Sequence, residues 1–194
     1  MLLLHVDIET TGLDKENDEI LEIAWVITDS RLAQLWRPRS FLIYSDDWPK
    51  TVSKIRSDST VEKMHYESRL LDDLYKVTRR DAVRLKVVDL WMSDDIARVR
   101  SVSGPNDQAV YLAGNSVQFD RAFIERDLPN TADLLHYRNY DVTTLMTFVD
   151  SLDIPVSLPE FKGTKHRALD DIKYSLEVAR AYRKLALQAK DMFR

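Results

Sequence analysis

The sequence predicts a layered α/β domain with a mixed five-stranded sheet flanked by helices. Three observations lead there. Three strand-like segments open the chain, helices and strands then alternate, and one long amphipathic helix closes it. Such an order implies antiparallel pairing first and parallel pairing later. The 194 residues suit a single domain, 1–194.

Each element follows from its local pattern. Along residues 2–9, Leu2, Leu4, Val6 and Ile8 share one strand face, while Leu3, His5, Asp7 and Glu9 share the other. The run EILEIAWVIT at 19–28 is almost continuously apolar and rich in β-branched residues, as a buried strand requires. Phe41 to Tyr44 is a third strand, reached by a hairpin connection through Asp29-Ser30-Arg31. Residues 45–60 are polar, carry Pro49 and suggest a loop. Segments 61–77 and 82–99 place apolar residues three and four apart, which predicts two helices. A strand follows at 109–113, ends at Gly114-Asn115-Ser116 and leads into a helix that Pro129 stops after Arg126. Tyr140 to Val142 is a short strand before a helix to about Leu152. The last helix runs from about Ala168 to the C-terminus, with Ile172, Leu176, Ala179, Tyr182 and Leu185 in one apolar stripe. The charge runs at 79–86 and 94–100 are solvated helix faces.

Composition excludes several functions. Hydrophobic residues make up 44% and charged residues 31%, as in ordinary water-soluble domains. With no cysteine there is no disulfide, thiolate metal site or cysteine nucleophile, which fits a reducing cytoplasm. The N-terminus has no basic leader, and His5 and Asp7 interrupt its apolar run, so it is neither a signal peptide nor a membrane span. The first strand starts almost at Met1, so no segment is expected before the domain. The net charge is -4, whereas proteins that grip long nucleic acids usually carry a basic excess. A nucleic-acid substrate would therefore be short.

Three acidic segments carry the chemistry. In Asp7-Ile8-Glu9-Thr10-Thr11-Gly12 two carboxylates share one face of a core strand. That is costly unless a cation sits between them, and a divalent metal is the obvious candidate; the plainer reading is a solvated strand end. Asp120 falls in the first turns of a helix, where a carboxylate also suits the helix dipole. His166-Arg167-Ala168-Leu169-Asp170-Asp171 is the third segment. In one continuous helix His166 and Asp171 would lie about 140° apart around the axis. A histidine on the preceding loop can instead fold back over an aspartate in the first turn. Asp7 and Glu9, Asn115 to Asp120, and Asp141 all fall at or just beyond strand ends, where α/β sheets place their sites.

With DIETTG, GNSVQFD and HRALDD in this order, the chain resembles the 3′→5′ exonucleases built on four acidic residues and a histidine, which have a ribonuclease H-like fold. The five-residue step from His166 to Asp171 matches the histidine branch. GNSV-x-x-DR-x-F at 114–123, LHYRNYDV at 135–142, HRALDDI at 166–172, DDW at 46–48 and HYES at 65–68 resemble the oligoribonucleases in particular, over nearly the whole chain. Thr10, Phe119 and Thr143 depart from that pattern, where methionine, glutamine and serine are usual, and 49–64 is longer than usual.

The resemblance implies two Mg²⁺ or Mn²⁺ ions held by Asp7, Glu9, Asp120 and Asp171, with Asp7 bridging them. His166 would be the general base, a task suited to an imidazole, whose ordinary pKa is about 6.5. Leu13 would wedge against terminal bases and Trp48 would stack on one, although burial in the core is the ordinary fate of a leucine. Ser116, Arg138 and Thr143 would cap the 5′-phosphate of a dinucleotide, with Tyr137 of the partner subunit reaching in from a homodimer. An ordinary surface ion pair is the alternative for Arg138. His65 either lines the site or is a packed surface histidine. His5 and Asp141 are structural in this reading, His136 has no assigned role, and Asp171 is favoured over Asp170. The expected activity is exoribonuclease degradation of short RNA oligonucleotides to nucleoside 5′-monophosphates in the cytoplasm, with no membrane partner. A general or proofreading-type exonuclease, which also acts on DNA, and a catalytically silent nucleic-acid-binding module are the alternatives.

Overall fold

The computed structural model describes residues 1–77, 82–104 and 108–192. Part of the 79–86 charge run and the chain end beyond 192 therefore lie outside the described residues. In chain order the elements are β1 (Leu2–Thr10), β2 (Ile20–Asp29), β3 (Arg39–Leu42), α1 (Trp48–Ser57), α2 (Ser59–Glu67), α3 (Leu70–Lys76), α4 (Leu85–Ser103), β4 (Val110–Gly114), α5 (Gln118–Asp127), α6 (Pro129–Ala132), β5 (Leu135–Asp141), α7 (Val142–Asp150) and α8 (Ala168–Met192).

The five strands form one mixed sheet in the order β3-β2-β1-β4-β5. β1 pairs antiparallel with β2 and parallel with β4. β2 and β3 are antiparallel, while β4 and β5 are parallel. Parallel pairing sends the C-terminal ends of β1, β4 and β5 to the same edge, which is where the acidic segments gather.

Both faces of β1 are buried, each by different helices. Leu2, Leu4, Val6 and Ile8 pack with Val88, Met92, Ile96 and Val99 of α4 and with Phe123 and Ile124 of α5. Leu3 packs with Val142 of α7 and with Leu176, Val178, Ala179 and Tyr182 of α8. Burying each such aliphatic side chain contributes about 1.5–3 kcal/mol. The alternation along β1 thus places Asp7 and Glu9 at the end of the face that α8 covers. No helix among the described residues is long and apolar enough to cross a membrane.

Four local expectations are corrected. Residues 45–60 are largely helical. Asp47 caps α1 by accepting the Lys50 N–H at 3.2 Å, and Pro49 sits in the first turn, where a missing N–H costs nothing. The expected 61–77 helix is two helices, with Arg69 at φ 60° between α2 and α3. Asp58 starts α2 by accepting the Thr60 and Val61 N–H groups. Pro129 does more than stop α5, because it also opens α6. Finally, β5 begins at Leu135, so the HYRN segment is an edge strand, in which polar side chains can face water. Boundaries of the other elements shift by a few residues.

Candidate active site

Asp7 and Glu9 sit near the end of β1, Asp120 in the first turn of α5 and Asp171 in the first turn of α8. Burial pushes the Asp7 carboxyl well above the usual range, and Asp120, Glu9, Asp171 and Glu22 repel its charge further. Glu9 is only 6% exposed. Its carboxyl is pushed up to about 8 by burial first and then by Asp171, Glu22 and Asp120. Burial also raises Asp120 to about 7, although its Oδ1 accepts the Ile8 N–H at 3.1 Å. Asp171 is raised by burial and partly relieved by the backbone N–H groups of His166 and Arg167. Four carboxylates are thus crowded together under conditions that disfavour their charged forms.

His166 completes the group. It is exposed, lies just before α8 and has a left-handed backbone with φ 60°. That bend turns its ring back over the first helical turn, so Glu9, His166 and Asp171 offer ligand atoms all within 4.8 Å of one another. The neighbouring acids diverge. Asp171 Oδ2 accepts the Arg167 N–H at 3.2 Å, whereas Asp170 accepts from Thr164 N and pairs with Lys173. Asp171 is therefore the member of the pair that joins Glu9 and His166.

His65 lies behind this group rather than on the surface. It is fully buried, its Nε2 is 2.7 Å from the Thr10 carbonyl oxygen, and its Nδ1 is 4.0 Å from Glu9 Oε2. His5 is also buried, with Nε2 3.1 Å from Thr28 Oγ1, a structural placement.

The expected substrate-side residues are spread over several elements. The Ser116 N–H donates to Thr143 Oγ1 at 3.0 Å, and the two hydroxyl oxygens are 3.3 Å apart. Asp141 fixes this corner by accepting the Val117 N–H and the Thr144 N–H. The corner opens on a depression of about 530 Å³ lined by Ser116, Asp141, Thr143, Thr147 and Phe148. Gly114 permits the turn, because a side chain there would meet the Val6 carbonyl oxygen at 2.9 Å with φ at 156°. On β5, Tyr137 is exposed, and the Arg138 guanidinium lies 5.1 Å from its ring centroid. Arg138 is not paired with an acid among the described residues, so the ordinary ion-pair reading is not met. His136 stacks between Tyr111 and Tyr137 and accepts the Arg138 N–H. Leu13 is 78% exposed, not part of the core. Trp48 is half-buried and meets Tyr75 edge-on at 5.6 Å.

The exonuclease family RNase_T matches residues 4–86 and 94–179. An oligoribonuclease of Nocardia farcinica is 34% identical over 190 residues, covering 97% of this chain and 82% of that protein. An oligoribonuclease of Neisseria meningitidis serogroup A is 32% identical over 182 residues, covering 93% of this chain and 90% of that protein. The chain belongs to the oligoribonuclease family. It is a 3′→5′ exonuclease, a phosphodiester hydrolase. The fold also matches an exonuclease I of Methylocaldum szegediense, with TM-score 0.63 and 15% identity over 94% of this chain. This oligoribonuclease-family chain spans 40% of that longer protein.

Arg167, to which residue type alone assigns no role, supports this oligoribonuclease-family site. Arg167 donates to both Glu22 carboxylate oxygens and to Asp73 Oδ2, at 2.7–3.2 Å. Glu22 also accepts the Ala168 N–H, which pins the start of α8 to β2. A glutamate inside the apolar EILEIAWVIT run was the available signal, but its partner lies 145 residues away.

Proposed function

We propose that this protein is a metal-dependent 3′→5′ exoribonuclease that degrades short RNA oligonucleotides, down to dinucleotides, to nucleoside 5′-monophosphates. The convergence of Glu9, His166 and Asp171 within 4.8 Å, next to Asp7 and Asp120, carries this reading. The fit to a divalent cation rests on the donors themselves, since crowded, buried carboxylates with little compensating positive charge form an all-oxygen set suited to Mg²⁺ or Mn²⁺. Asp7, Glu9, Asp120 and Asp171 would hold two ions. Bound there, the ions supply charge against the scissile phosphate and lower the pKa of the attacking water.

The chain's own residues do the rest. His166, presented on an exposed loop end, takes the proton from the attacking water. Leu13, exposed just beyond β1, wedges against the terminal bases, and Trp48 offers an aromatic face for stacking. His65 supports the site from behind by holding Thr10 and facing Glu9. Ser116 and Thr143 offer hydroxyls to a terminal 5′-phosphate. Arg138 adds a planar cation, and Tyr137 serves the partner subunit of a homodimer. The negative overall charge and small cap favour short substrates over long ones. In this reading the enzyme works in the cytoplasm and needs no membrane.

The test is a turnover series with 5′-labelled RNA from the dinucleotide to the heptanucleotide, with matched DNA, in Mg²⁺, Mn²⁺ or EDTA. Fast dinucleotide cleavage that falls with length and stops in EDTA supports the proposal. Equal rates on all lengths or on DNA identify a general exonuclease instead.

A further inference from the structure

We propose that Asp170 is a positioning residue for His166, holding the loop that presents the imidazole from the side opposite to Asp171. The inference rests on the reading of His166 as general base. His166 is bracketed by two adjacent carboxylates that grip different backbone groups. Asp171 Oδ2 accepts the N–H of Arg167, the residue after His166, at 3.2 Å. Asp170 Oδ2 accepts the N–H of Thr164, two residues before it, at 3.1 Å.

Three further contacts fasten the Asp170 side. Lys173 Nζ holds the other Asp170 oxygen at 2.9 Å, which fixes the carboxylate's rotation. Gly163, at φ 141°, lies directly against Asp170, and a Cβ there would meet its carboxylate at 2.9 Å. Phe161 packs on Tyr174 of α8 at 5.2 Å. Residues 161–164 are therefore tied to the same helical turn that carries Asp171.

This matters because His166 has a left-handed backbone, which non-glycine residues rarely adopt and which persists only when the surroundings enforce it. On the far side, Arg167 is held by Glu22 and Asp73. Releasing Asp170 frees the near side and lets φ at His166 relax, so the imidazole leaves the neighbourhood of Glu9 and Asp171. Displacing a catalytic group by about 1 Å can cost about a hundredfold in rate.

The experiment compares Asp170→Ala, Asp170→Asn and Gly163→Ala with wild type, and repeats Asp170→Ala in a His166→Ala background, reading kcat and KM on a dinucleotide. Amide hydrogen exchange over residues 163–167 is followed in parallel. The expected result for Asp170→Ala is a kcat loss of about ten- to a hundredfold. KM should be nearly unchanged, and exchange at Thr164 faster while α8 stays protected. Asp170→Asn, which keeps an acceptor for Thr164, should recover most of kcat. Gly163→Ala should reproduce the loss. In the His166→Ala background, Asp170→Ala should add nothing, since groups acting as one unit are not additive. An equal loss in that background, or an unchanged kcat and exchange rate in Asp170→Ala, overturns the inference. Wild-type turnover in His166→Ala alone would instead overturn the general-base reading, with the Thr164 exchange still reporting whether Asp170 holds the loop.

Discussion

Glu9 and Glu22 face each other across the β1–β2 ladder as direct Cα partners, yet only Glu22 is neutralised. Arg167 and the Ala168 N–H occupy the Glu22 carboxylate. Glu9 has the His65 Nδ1 at 4.0 Å and lies within 4.8 Å of ligand atoms of His166 and Asp171, and its carboxyl is pushed up to about 8. Like charges directly opposite in a ladder are destabilising. Here one is satisfied by the protein, and the other is not. The same arginine docks the start of α8, and the fold therefore sets Glu9 beside His166 and Asp171 through a contact that is itself not chemical.

Replacing Asp7 with Asn should separate stability from activity. Asp7 is repelled by Asp120, Glu9, Asp171 and Glu22. In EDTA at mildly alkaline pH the variant should be more stable than wild type by about 1–2 kcal/mol, measured by urea unfolding, because a charge that disfavours the folded state is gone. It should also lose turnover and the stabilisation that Mn²⁺ gives the wild type. A variant less stable than wild type in EDTA would contradict the repulsion described here.

His166→Ala should lower dinucleotide turnover by about 10²- to 10⁴-fold, the usual value of a positioned general base. Because four carboxylates remain, the Mn²⁺-dependent rise in melting temperature should persist. Turnover near wild type would remove the histidine from the mechanism.

His65→Ala should act through the fold as well as the site. The ring is fully buried and is bonded to the Thr10 carbonyl. Its removal leaves a cavity and an unsatisfied acceptor, costing about 2–4 kcal/mol in chemical denaturation. A change below about 0.5 kcal/mol, the range of ordinary surface substitutions, would mean that the region collapses around the gap.

Leu13→Ala should do the opposite. The side chain is 78% exposed, so stability should stay within about 0.5 kcal/mol of wild type. KM for the dinucleotide should rise, however, because the wedge is gone. Unchanged kinetics would leave Leu13 without a role.

Arg138→Ala should reduce dinucleotide cleavage far more than heptanucleotide cleavage, as measured by initial rates on the length series. Only the shortest substrate depends wholly on a cap at its 5′-phosphate, and a charge-assisted contact of this kind is worth about 1.5–3 kcal/mol. An equal loss on every length would dispose of the cap.

Much of this was legible because it is local. The alternation in residues 2–9 assigned the faces of β1 correctly, since strand side chains alternate whatever surrounds them. The turn at His166 is legible for a similar reason, because helix geometry alone forbids His166 and Asp171 from sharing a face in one helix. The missed helix α1 shows the opposite case. Pro49 and a polar composition suggested a loop, but Asp47 caps the helix, while Thr51 and Ile55 are buried against other elements. The early start of β5, at Leu135, was invisible because its polar residues pair with β4 on only one edge.

Residue order alone sets which carboxylates and which histidine are available, and strand alternation puts Asp7 and Glu9 on one face. Folding brings only some of them close to one another. Asp170 and Asp171 are neighbours in sequence, but a hundred degrees of helical rotation sends one to the loop and the other to Glu9. Glu22 and Glu9 are equivalent across a ladder until Arg167, 145 residues beyond Glu22, neutralises one of them. Such choices depend on desolvation and on charges brought close only by folding, so they cannot be read from residue types along a chain.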